Sequence, residues 1–192
     1  MTEPRIPPLP PDQWGDDVGA AIAALRPAGA TQELRRSKGG PKGLNVLGTF
    51  AQHPALMHAY HSFNGHILYT NTLSPRQREL LVLRVAARRG AEYEWQQHVH
   101  LARDAGITDA EIARIAEGPA ADGWSPVDAS MVRAVDELVD DALITDATWA
   151  VLAAELDRHQ LMDLVFTVGA YDLLAMAFRA FGVELDADLV PE

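Results

Sequence analysis

The chain contains no cysteine among its 192 residues. This absence excludes disulfides, thiolate metal sites and thiol catalysis together, and it is compatible with a reducing compartment, so we expect a cytoplasmic protein. Basic residues are scarce too, with 16 Lys and Arg against 27 Asp and Glu and a formal net charge of −11. Nucleic-acid binding needs clustered cations that neutralise phosphates. We therefore expect no nucleic-acid partner, and we interpret the short basic run at 35–38 as a solvated loop.

Long hydrophobic runs are also lacking. The most apolar segment, residues 161–182, is interrupted by Asp163, Asp172 and Arg179, whereas a membrane-spanning helix needs about 20 consecutive, mainly apolar residues. The chain opens with the Pro-rich MTEPRIPPLPPDQW instead of a charged-then-apolar leader. We expect a soluble protein with no membrane partner. Its organisation is predicted as a Pro-rich arm over 1–14, lying on the surface or on a neighbouring subunit, and one domain over 15–192.

Helix start signals recur along the chain, while period-2 alternation typical of strands does not. Ser74-Pro75 is followed by Gln77, and Thr108 is followed by Glu111, which are the patterns of capped helix N-termini. Similar starts occur at 125, 145 and 157, and glycines stand at the expected C-terminal caps. The sequence therefore predicts an all-α, single-domain helical bundle of seven or eight helices.

Two acids and a histidine occupy helix faces that are patterned for burial. In GAEYEWQQHVHL (residues 90–101), Glu94 and His98 share a face with Trp95. On the preceding helix Glu79 lies on one apolar stripe with Val82, whereas its neighbouring arginines are expected to reach solvent. Because the two helices are joined at Gly90, we predict that they pack as a hairpin and bring Glu79 towards Glu94 and His98.

Such a cluster has two interpretations that the pattern alone does not separate. Burial raises the pKa of a carboxyl group and a nearby imidazolium opposes this shift, so the set could hold and transfer one proton near neutral pH. Alternatively, Glu94 and His98 simply satisfy each other at a helix crossing, because structural ion pairs imitate functional sites. A metal is a third possibility, since all three are ligand types. The spacing lacks the second histidine of a His-Glu-x-x-His helix, and no metal ligand is assigned.

Four further side chains are candidates for substrate binding. Tyr93 and Trp95 flank the acid–histidine pattern and are expected to form the wall of the site. His58 and His61 lie three residues apart on the helix that begins at Pro54, among aromatic residues, so one of them could face a pocket. Partly exposed positions on an amphipathic helix are the alternative for these two histidines.

The same segment resembles the carboxymuconolactone decarboxylase family, which includes the alkylhydroperoxidase D-type peroxidases. The resemblance is carried by Arg78-Glu79-Leu80, Leu83-Arg84, Glu92-Tyr93-Glu94-Trp95, His98 and Ala105-Gly106. It covers residues 74–118 specifically and extends more loosely from 53 through the last helix. Family membership implies an all-α fold of the alkylhydroperoxidase D-like type, and assembly as trimers or as hexamers made from them.

The resemblance also implies which chemistry is lost. The peroxidase branch carries a Glu, a Cys-x-x-Cys pair and then a His four residues after the second Cys. The Glu and His fall at Glu79 and His98, but the cysteine positions are Ala91 and Glu94. Thiol-based peroxide reduction needs a thiolate and a resolving thiol. A thiol peroxidase is therefore excluded.

The decarboxylase branch needs no cofactor and is thought to remove carbon dioxide from a carboxylated lactone. By resemblance, we expect a cofactor-independent lyase that uses Glu79, Glu94 and His98 on a small lactone or keto acid. A non-catalytic helical oligomer and a metal-dependent enzyme remain the alternatives. The last helix carries more apolar residues than one stripe needs, and excess apolar surface marks interfaces. We expect a homo-oligomer, a trimer or hexamer by resemblance.

Overall fold

The computed structural model describes residues 3–28, 30 and 42–189. The predicted loop over 31–43 lies outside these residues except for 42 and 43, and the basic run at 35–38 lies outside them entirely. The chain divides into two compact units, Met1–Asn71 with Ala177–Glu192, and Thr72–Met176. No signal in the sequence predicts this division. The assignment of 15–192 to a single domain stays a prediction.

All regular secondary structure in the described residues is helical, with no strand, which confirms the all-α prediction. The first unit contains a 3-10 helix, Pro11–Gln13, and helices α1 (Asp16–Ala23), α2 (Leu44–Ala51) and α3 (Pro54–Tyr69). The second contains α4 (Pro75–Arg89), α5 (Glu92–Asp104), α6 (Asp109–Glu117), α7 (Pro126–Asp141) and α8 (Asp146–Glu155). Helix α9 (Arg158–Phe181) lies in the second unit up to residue 176, and its residues 177–181 belong to the first.

The described segments hold nine α-helices, more than the seven or eight that we predict. Helix α2 is short and stays separate from α3. Its continuation is blocked because a residue before proline avoids the helical region. His53 accordingly has φ −140° and ψ 74°, and its ring accepts a hydrogen bond from the Leu56 amide to cap α3.

Local capping chemistry sets the helix ends that frame the site. Ser74 and Gln77 form a reciprocal capping box at the start of α4, and Thr108 and Glu111 form another at α6. Gly90 ends α4 in the left-handed region, with φ 56°. There a residue without Cβ avoids the steric cost that others meet. The predicted starts and the α4–α5 turn are confirmed.

The first unit has its own apolar cluster, into which the N-terminal arm packs. Buried residues of this cluster come from α1, α2 and α3: Val18, Ala21, Ala51 and Met57. The arm is bound by its own chain, since the Leu9 amide donates to the Gly48 carbonyl at 3.0 Å and the Arg5 amide donates to Phe181 at 2.8 Å. At Gly48 an added Cβ would lie 2.5 Å from the Leu9 carbonyl oxygen. Glycine therefore permits this close approach of α2 and the arm.

In the second unit α4 packs against α5, α6 and α7. Three arginines of α4 pair with aspartates of α7, each pair separated by 52 positions in sequence: Arg76–Asp128 at 3.1 Å, Arg84–Asp136 at 2.7 Å and Arg88–Asp140 at 2.6 Å. A constant separation means that the two helices run parallel. We call these three pairs the α4–α7 ladder. It fixes the register of α4, which carries Glu79.

Arg84 corrects our expectation that the arginines of α4 reach solvent. It is only 5% exposed and binds Asp136 through two nitrogens, each at 2.7 Å. Its third nitrogen donates to the carbonyls of Ile115 and Ala116 at 2.9 Å. These carbonyls belong to the last turn of α6, where they lack partners within the helix. Arg84 therefore ties α6 and α7 to α4.

Helix α9 has the length and composition of a membrane-spanning segment, the one such helix in the described part of the chain. Buried helices of water-soluble proteins pass the same criterion. In this chain 56% of its most apolar window is buried. The helix contributes Leu164, Val168 and Tyr171 to the buried interior.

Candidate functional site

Glu79 lies at the centre of the candidate site and is completely buried. Its Oε2 lies 2.7 Å from Nδ1 of His98 on α5, and its Oε1 accepts a hydrogen bond from Nε of Arg78 at 3.1 Å. The α4–α5 turn at Gly90 brings the two helices together, as the hairpin prediction requires. Both carboxylate oxygens of Glu79 are thus held by charged or chargeable donors.

His98 is held in place on two sides. Besides Glu79, its ring meets the ring of Tyr171 from α9 edge to face, with centroids 4.9 Å apart and an interplanar angle of 87°. About 11% of its side chain remains exposed. An ionised carboxylate can only accept, so the contact with Glu79 places a hydrogen on Nδ1. In the neutral ring Nε2 is then the nitrogen with a free lone pair.

Glu94 is a buried acid without a hydrogen-bond partner. It is 1% exposed, and within the described residues neither of its carboxyl oxygens has a partner. The alternative in which Glu94 and His98 satisfy each other is wrong in this structure, because His98 binds Glu79 instead. Glu94 therefore shares a helix face with the Glu79–His98 pair but takes no part in it.

The two glutamates have opposite pKa shifts. Burial alone would raise the pKa of Glu79, but the charge and hydrogen bond of His98, together with Arg78, lower it below its usual value. For Glu94 burial raises the pKa well above its usual value, and the negative charge of Asp172 adds to this. The ionised form of Glu79 is consequently favoured, whereas burial favours the protonated form of Glu94. Two carboxyl groups whose pKa values are shifted in opposite directions are suited to separate acid and base roles.

Tyr93 and Trp95 flank Glu94 in the sequence of α5. Tyr93 is buried, and its hydroxyl accepts a hydrogen bond from Gln97 at 3.1 Å. Trp95 packs against the apolar cluster formed by α4, α5 and α6, whose buried members are Leu80, Leu83, Val99, Ala102, Ile107, Ile112 and Ile115. Both side chains support α5. Their predicted role in substrate binding stays a prediction.

His58 and His61 belong to α3 in the first compact unit. His58 is exposed. His61 is buried, with Nδ1 2.9 Å from the Ala21 carbonyl oxygen, so it is not the partly exposed residue that an amphipathic pattern predicts. Burial lowers its pKa, which the Ala21 contact opposes and His58 reinforces. His61 is therefore neutral near pH 7. Substrate binding by either histidine stays a prediction.

Three residues of the site were missed by sequence reasoning. Arg78 is 3% exposed, although it was expected to reach solvent; its place next to Glu79 in the family-like motif was the available signal. Tyr171 and Asp172 come from α9, far away in sequence, and no local pattern marks them. Asp172 is itself paired with Arg89 of α4, at 3.0 Å for the Nη2–Oδ2 contact.

Within the ranges that the structure describes, no three His, Asp or Glu side chains are grouped so that they could hold a metal ion. Glu79, the most completely buried of the candidate ligands, already has both oxygens hydrogen-bonded by Arg78 and His98. The metal-dependent alternative therefore gains no support from the arrangement of these residues.

Solved structures with the same architecture define the fold class. An uncharacterized peroxidase-related protein from Ralstonia eutropha JMP134, described as an alkylhydroperoxidase AhpD core, is 16% identical with a TM-score of 0.74 over all of both chains. A peroxidase-related protein from Silicibacter sp. TM1040 is 15% identical with a TM-score of 0.69, over 85% of this chain and 95% of that one. This chain therefore has an AhpD-like all-helical fold.

Another protein of this fold is the debrominase Bmp8, whose cysteine-to-alanine variant was solved with 2,3,4-tribromopyrrole. It is 12% identical with a TM-score of 0.71, over 96% of this chain and 92% of that one. At such low identity these structures share the fold alone. A comparison with curated proteins finds no match.

Residues 54–137 match the model of the Carboxymuconolactone decarboxylase family. The family resemblance carried by Arg78-Glu79-Leu80 and His98 is thereby confirmed over this segment, without the cysteine pair of the peroxidases. The match includes Glu79, Glu94 and His98, together with the whole α4–α5 hairpin.

Proposed function

We propose that the protein is a cofactor-independent enzyme that uses acid–base chemistry on a small organic acid, a lactone or keto acid, in the manner of carboxymuconolactone decarboxylases. The observation that carries this proposal is Glu94, a buried acid whose carboxyl oxygens have no hydrogen-bond partner among the described residues and whose pKa is raised by burial. It lies one helical turn from His98, which is paired with ionised Glu79. An acid with a raised pKa thus lies on the same face of α5 as His98, the imidazole that binds the Glu79 carboxylate of α4.

The contrast between the two glutamates favours catalysis over a purely structural role. Glu79 has the contacts of a structural buried ion pair, with both oxygens bound. Neither carboxyl oxygen of Glu94 is bound by any described residue, and a buried polar group left without a hydrogen bond costs about 1–3 kcal/mol. A residue that destabilises the fold and has no structural contact to make is best explained by what it does for a substrate.

The proposed reaction needs only positioning and proton transfer. The bond from the substrate carboxylate to its neighbouring carbon breaks, carbon dioxide leaves, and the electron pair passes to the conjugated carbonyl oxygen. The neutral Glu94 carboxyl can donate a hydrogen bond to this developing oxyanion. Nε2 of His98, with Nδ1 held by Glu79, can take a proton from water and deliver it to the carbon that has lost the carboxylate. General acid–base groups contribute about 10²–10⁴-fold to rate.

A substrate panel with matched variants tests the proposal. Carboxylated lactones and small keto acids are incubated with the protein, and carbon dioxide release is measured together with the loss of substrate absorbance. We expect turnover of at least one compound, and a fall of about 10²–10⁴-fold in Glu94→Gln and His98→Gln. Glu92→Gln and His100→Gln, on the same helix outside the cluster, are the controls. No turnover across the panel, or turnover unaffected by Glu94→Gln, would reject the assignment.

We also propose a cytoplasmic setting and a small-molecule substrate, with no nucleic-acid or membrane partner and no cofactor. The net charge of −11 and the absence of cysteine support this setting. The family resemblance supports a homo-oligomer, a trimer or hexamer. Cell fractionation and size-exclusion chromatography with light scattering test the location and the assembly.

A further inference from the structure

Two consecutive residues of α9 contact the two helices of the α4–α5 hairpin. Tyr171 is 2% exposed, and its ring meets the ring of His98 on α5. Asp172 binds Arg89, the last residue of α4, through both carboxylate oxygens, with the Nη2–Oδ2 contact at 3.0 Å. Neighbouring residues on a helix point about 100° apart, so one turn of α9 reaches both helices at once.

The Arg89–Asp172 pair fixes the position of α9 along the end of α4. Two nitrogens of the guanidinium bind two oxygens of the carboxylate, and this planar geometry restricts both the distance and the angle between the partners. Nη2 of Arg89 also donates to the Val139 carbonyl of α7 at 3.4 Å, so the guanidinium is oriented from a second helix. The pair therefore anchors α9 one residue away from Tyr171.

The ring of His98 needs more than its own backbone to hold its orientation. The last side-chain torsion of histidine has only a broad, roughly two-fold preference. Two contacts restrict it here: Nδ1 lies 2.7 Å from Oε2 of Glu79, and the Tyr171 ring stands at 87° to the imidazole with centroids 4.9 Å apart. A ring turned out of this plane would lose both contacts. Tyr171 therefore favours the same ring plane as Glu79 does, with Nε2 left for a substrate.

Asp172 also acts on the other acid of the site. Its negative charge adds to the effect of burial in raising the pKa of Glu94. The same carboxylate is held by Arg89 at the end of α4. One ion pair is thus connected to both parts of the site, to His98 through the neighbouring Tyr171 and to Glu94 through the charge of Asp172.

We propose that Arg89, Asp172 and Tyr171 are positioning residues of the candidate site. The Arg89–Asp172 pair anchors α9 on the end of α4, and Tyr171 thereby holds the ring of His98 with Nδ1 on Glu79. Arg89 stands ten positions after Glu79, about 15 Å along the helix axis, so its effect on the site passes through α9. The role of this arrangement in catalysis rests on the proposed function, whereas the positioning itself can be measured without a substrate.

NMR of ¹⁵N-histidine-labelled protein measures this positioning directly, because the shifts of the two ring nitrogens show which of them carries the hydrogen. The spectrum of His98→Gln assigns the His98 signals, and pH 8.5 keeps ordinary imidazoles neutral. In wild type we expect the hydrogen on Nδ1. Arg89→Met and Tyr171→Leu should each shift His98 towards a mixture of the two tautomers. Arg89→Lys, which keeps an ion pair, and Tyr171→Phe, which keeps the ring, should retain the wild-type tautomer.

Arg88→Met is the matched control. Arg88 precedes Arg89 on α4, its side chain is almost equally exposed, at 33% against 34%, and it pairs with Asp140 of α7 instead of with α9. Its loss leaves the other two pairs of the α4–α7 ladder in place. We therefore expect Arg88→Met to keep the wild-type His98 tautomer. A tautomer shift of equal size in this control would indicate a general loosening of helix packing and would overturn the proposal.

Activity measurements separate this proposal from the proposed function. On any substrate found in the panel, Arg89→Met should lower kcat by about 10–100-fold and leave KM nearly unchanged, because Arg89 is assigned no contact with the substrate. Arg88→Met should keep the wild-type kcat. A tautomer shift in Arg89→Met without turnover by wild type would reject the proposed function and support the positioning. A folded Arg89→Met protein with an unchanged His98 tautomer would overturn the positioning even if wild type is active. If Arg89→Met fails to fold, Asp172→Asn, which removes the charge at constant size, has the same two outcomes.

Discussion

Glu94, whose buried carboxyl group has no hydrogen-bond partner among the described residues, should make the protein less stable as the pH rises. In the folded chain burial keeps Glu94 protonated above its usual pKa of 4.5, whereas in the unfolded chain it ionises at about that value. Above pH 4.5 the unfolded state therefore binds fewer protons than the folded state at this residue. Linkage then requires the free energy of unfolding to fall by about 1.4 kcal/mol for each pH unit, until the folded-state pKa is reached.

Replacement of Glu94 removes this slope. We expect Glu94→Gln to gain stability relative to wild type by about 1.4 kcal/mol per pH unit above pH 4.5, although glutamine also buries a polar group. Glu94→Met, which buries none, should show the same slope from a more stable starting point. Where the difference becomes constant with pH, that pH gives the folded-state pKa of Glu94.

Urea denaturation at half-unit steps from pH 4.5 to 8.5 measures this difference. Glu92→Gln, two residues away on the exposed side of α5 and hydrogen-bonded to Gln96, is the control and should give a flat difference. A flat difference for Glu94→Gln between pH 5 and 7 would refute the reasoning. It would mean that Glu94 ionises normally in the folded chain and that a compensating partner holds its charge.

Three other perturbations have defined outcomes. Glu79→Gln removes the anion that His98 and Arg78 bind, so the free energy of unfolding should fall by about 3–5 kcal/mol. Because the pKa of Glu79 is lowered in the folded chain, this advantage of wild type should be lost as the pH falls below 4.5. An equal deficit of the variant at pH 3 would contradict the pairing. Arg84→Met removes four contacts from the α4–α7 ladder and α6 and should lower the melting temperature by several degrees, whereas Arg103→Met, in an exposed pair with Asp109, should change it little. Gly48→Ala forces a Cβ towards the Leu9 carbonyl and should cost about 1–3 kcal/mol. That variant should be cleaved faster by trypsin at Arg5, with Gly19→Ala unaffected.

Features set by neighbours in sequence were predictable. The capping boxes at Ser74 and Thr108 depend on residues three positions apart, and the turn at Gly90 depends on one glycine. Once the helix starts and the turn were placed, the helical periodicity of α4 and of α5 was enough to predict that Glu79 and His98 face each other. The contact follows from the hairpin, and no long-range information was needed for it.

Features set by distant helices were not predictable in the same way. Arg84 resembles a solvent-exposed cation until Asp136 of α7 is brought beside it, and Tyr171 reaches His98 only through the packing of α9. Glu94 was expected to join a three-membered cluster, but α4 offers only one carboxylate to the histidine and Glu79 takes it. Glu94 has no partner among the described residues because Glu79 occupies His98. A helical wheel of one helix does not represent this competition between residues of two helices.

The α4–α7 ladder has a consequence for how a substrate reaches the protein. It neutralises three of the sixteen cations of the chain, and Arg89 is neutralised by Asp172 in the same way. Each pair removes one cation and one anion, so the formal net charge stays at −11, and a carboxylate substrate diffuses against this negative field rather than along it. Added salt screens such repulsion within a Debye length of about 10 Å at 0.1 M. For an anionic substrate kcat/KM should accordingly rise with ionic strength, the reverse of what electrostatic steering produces.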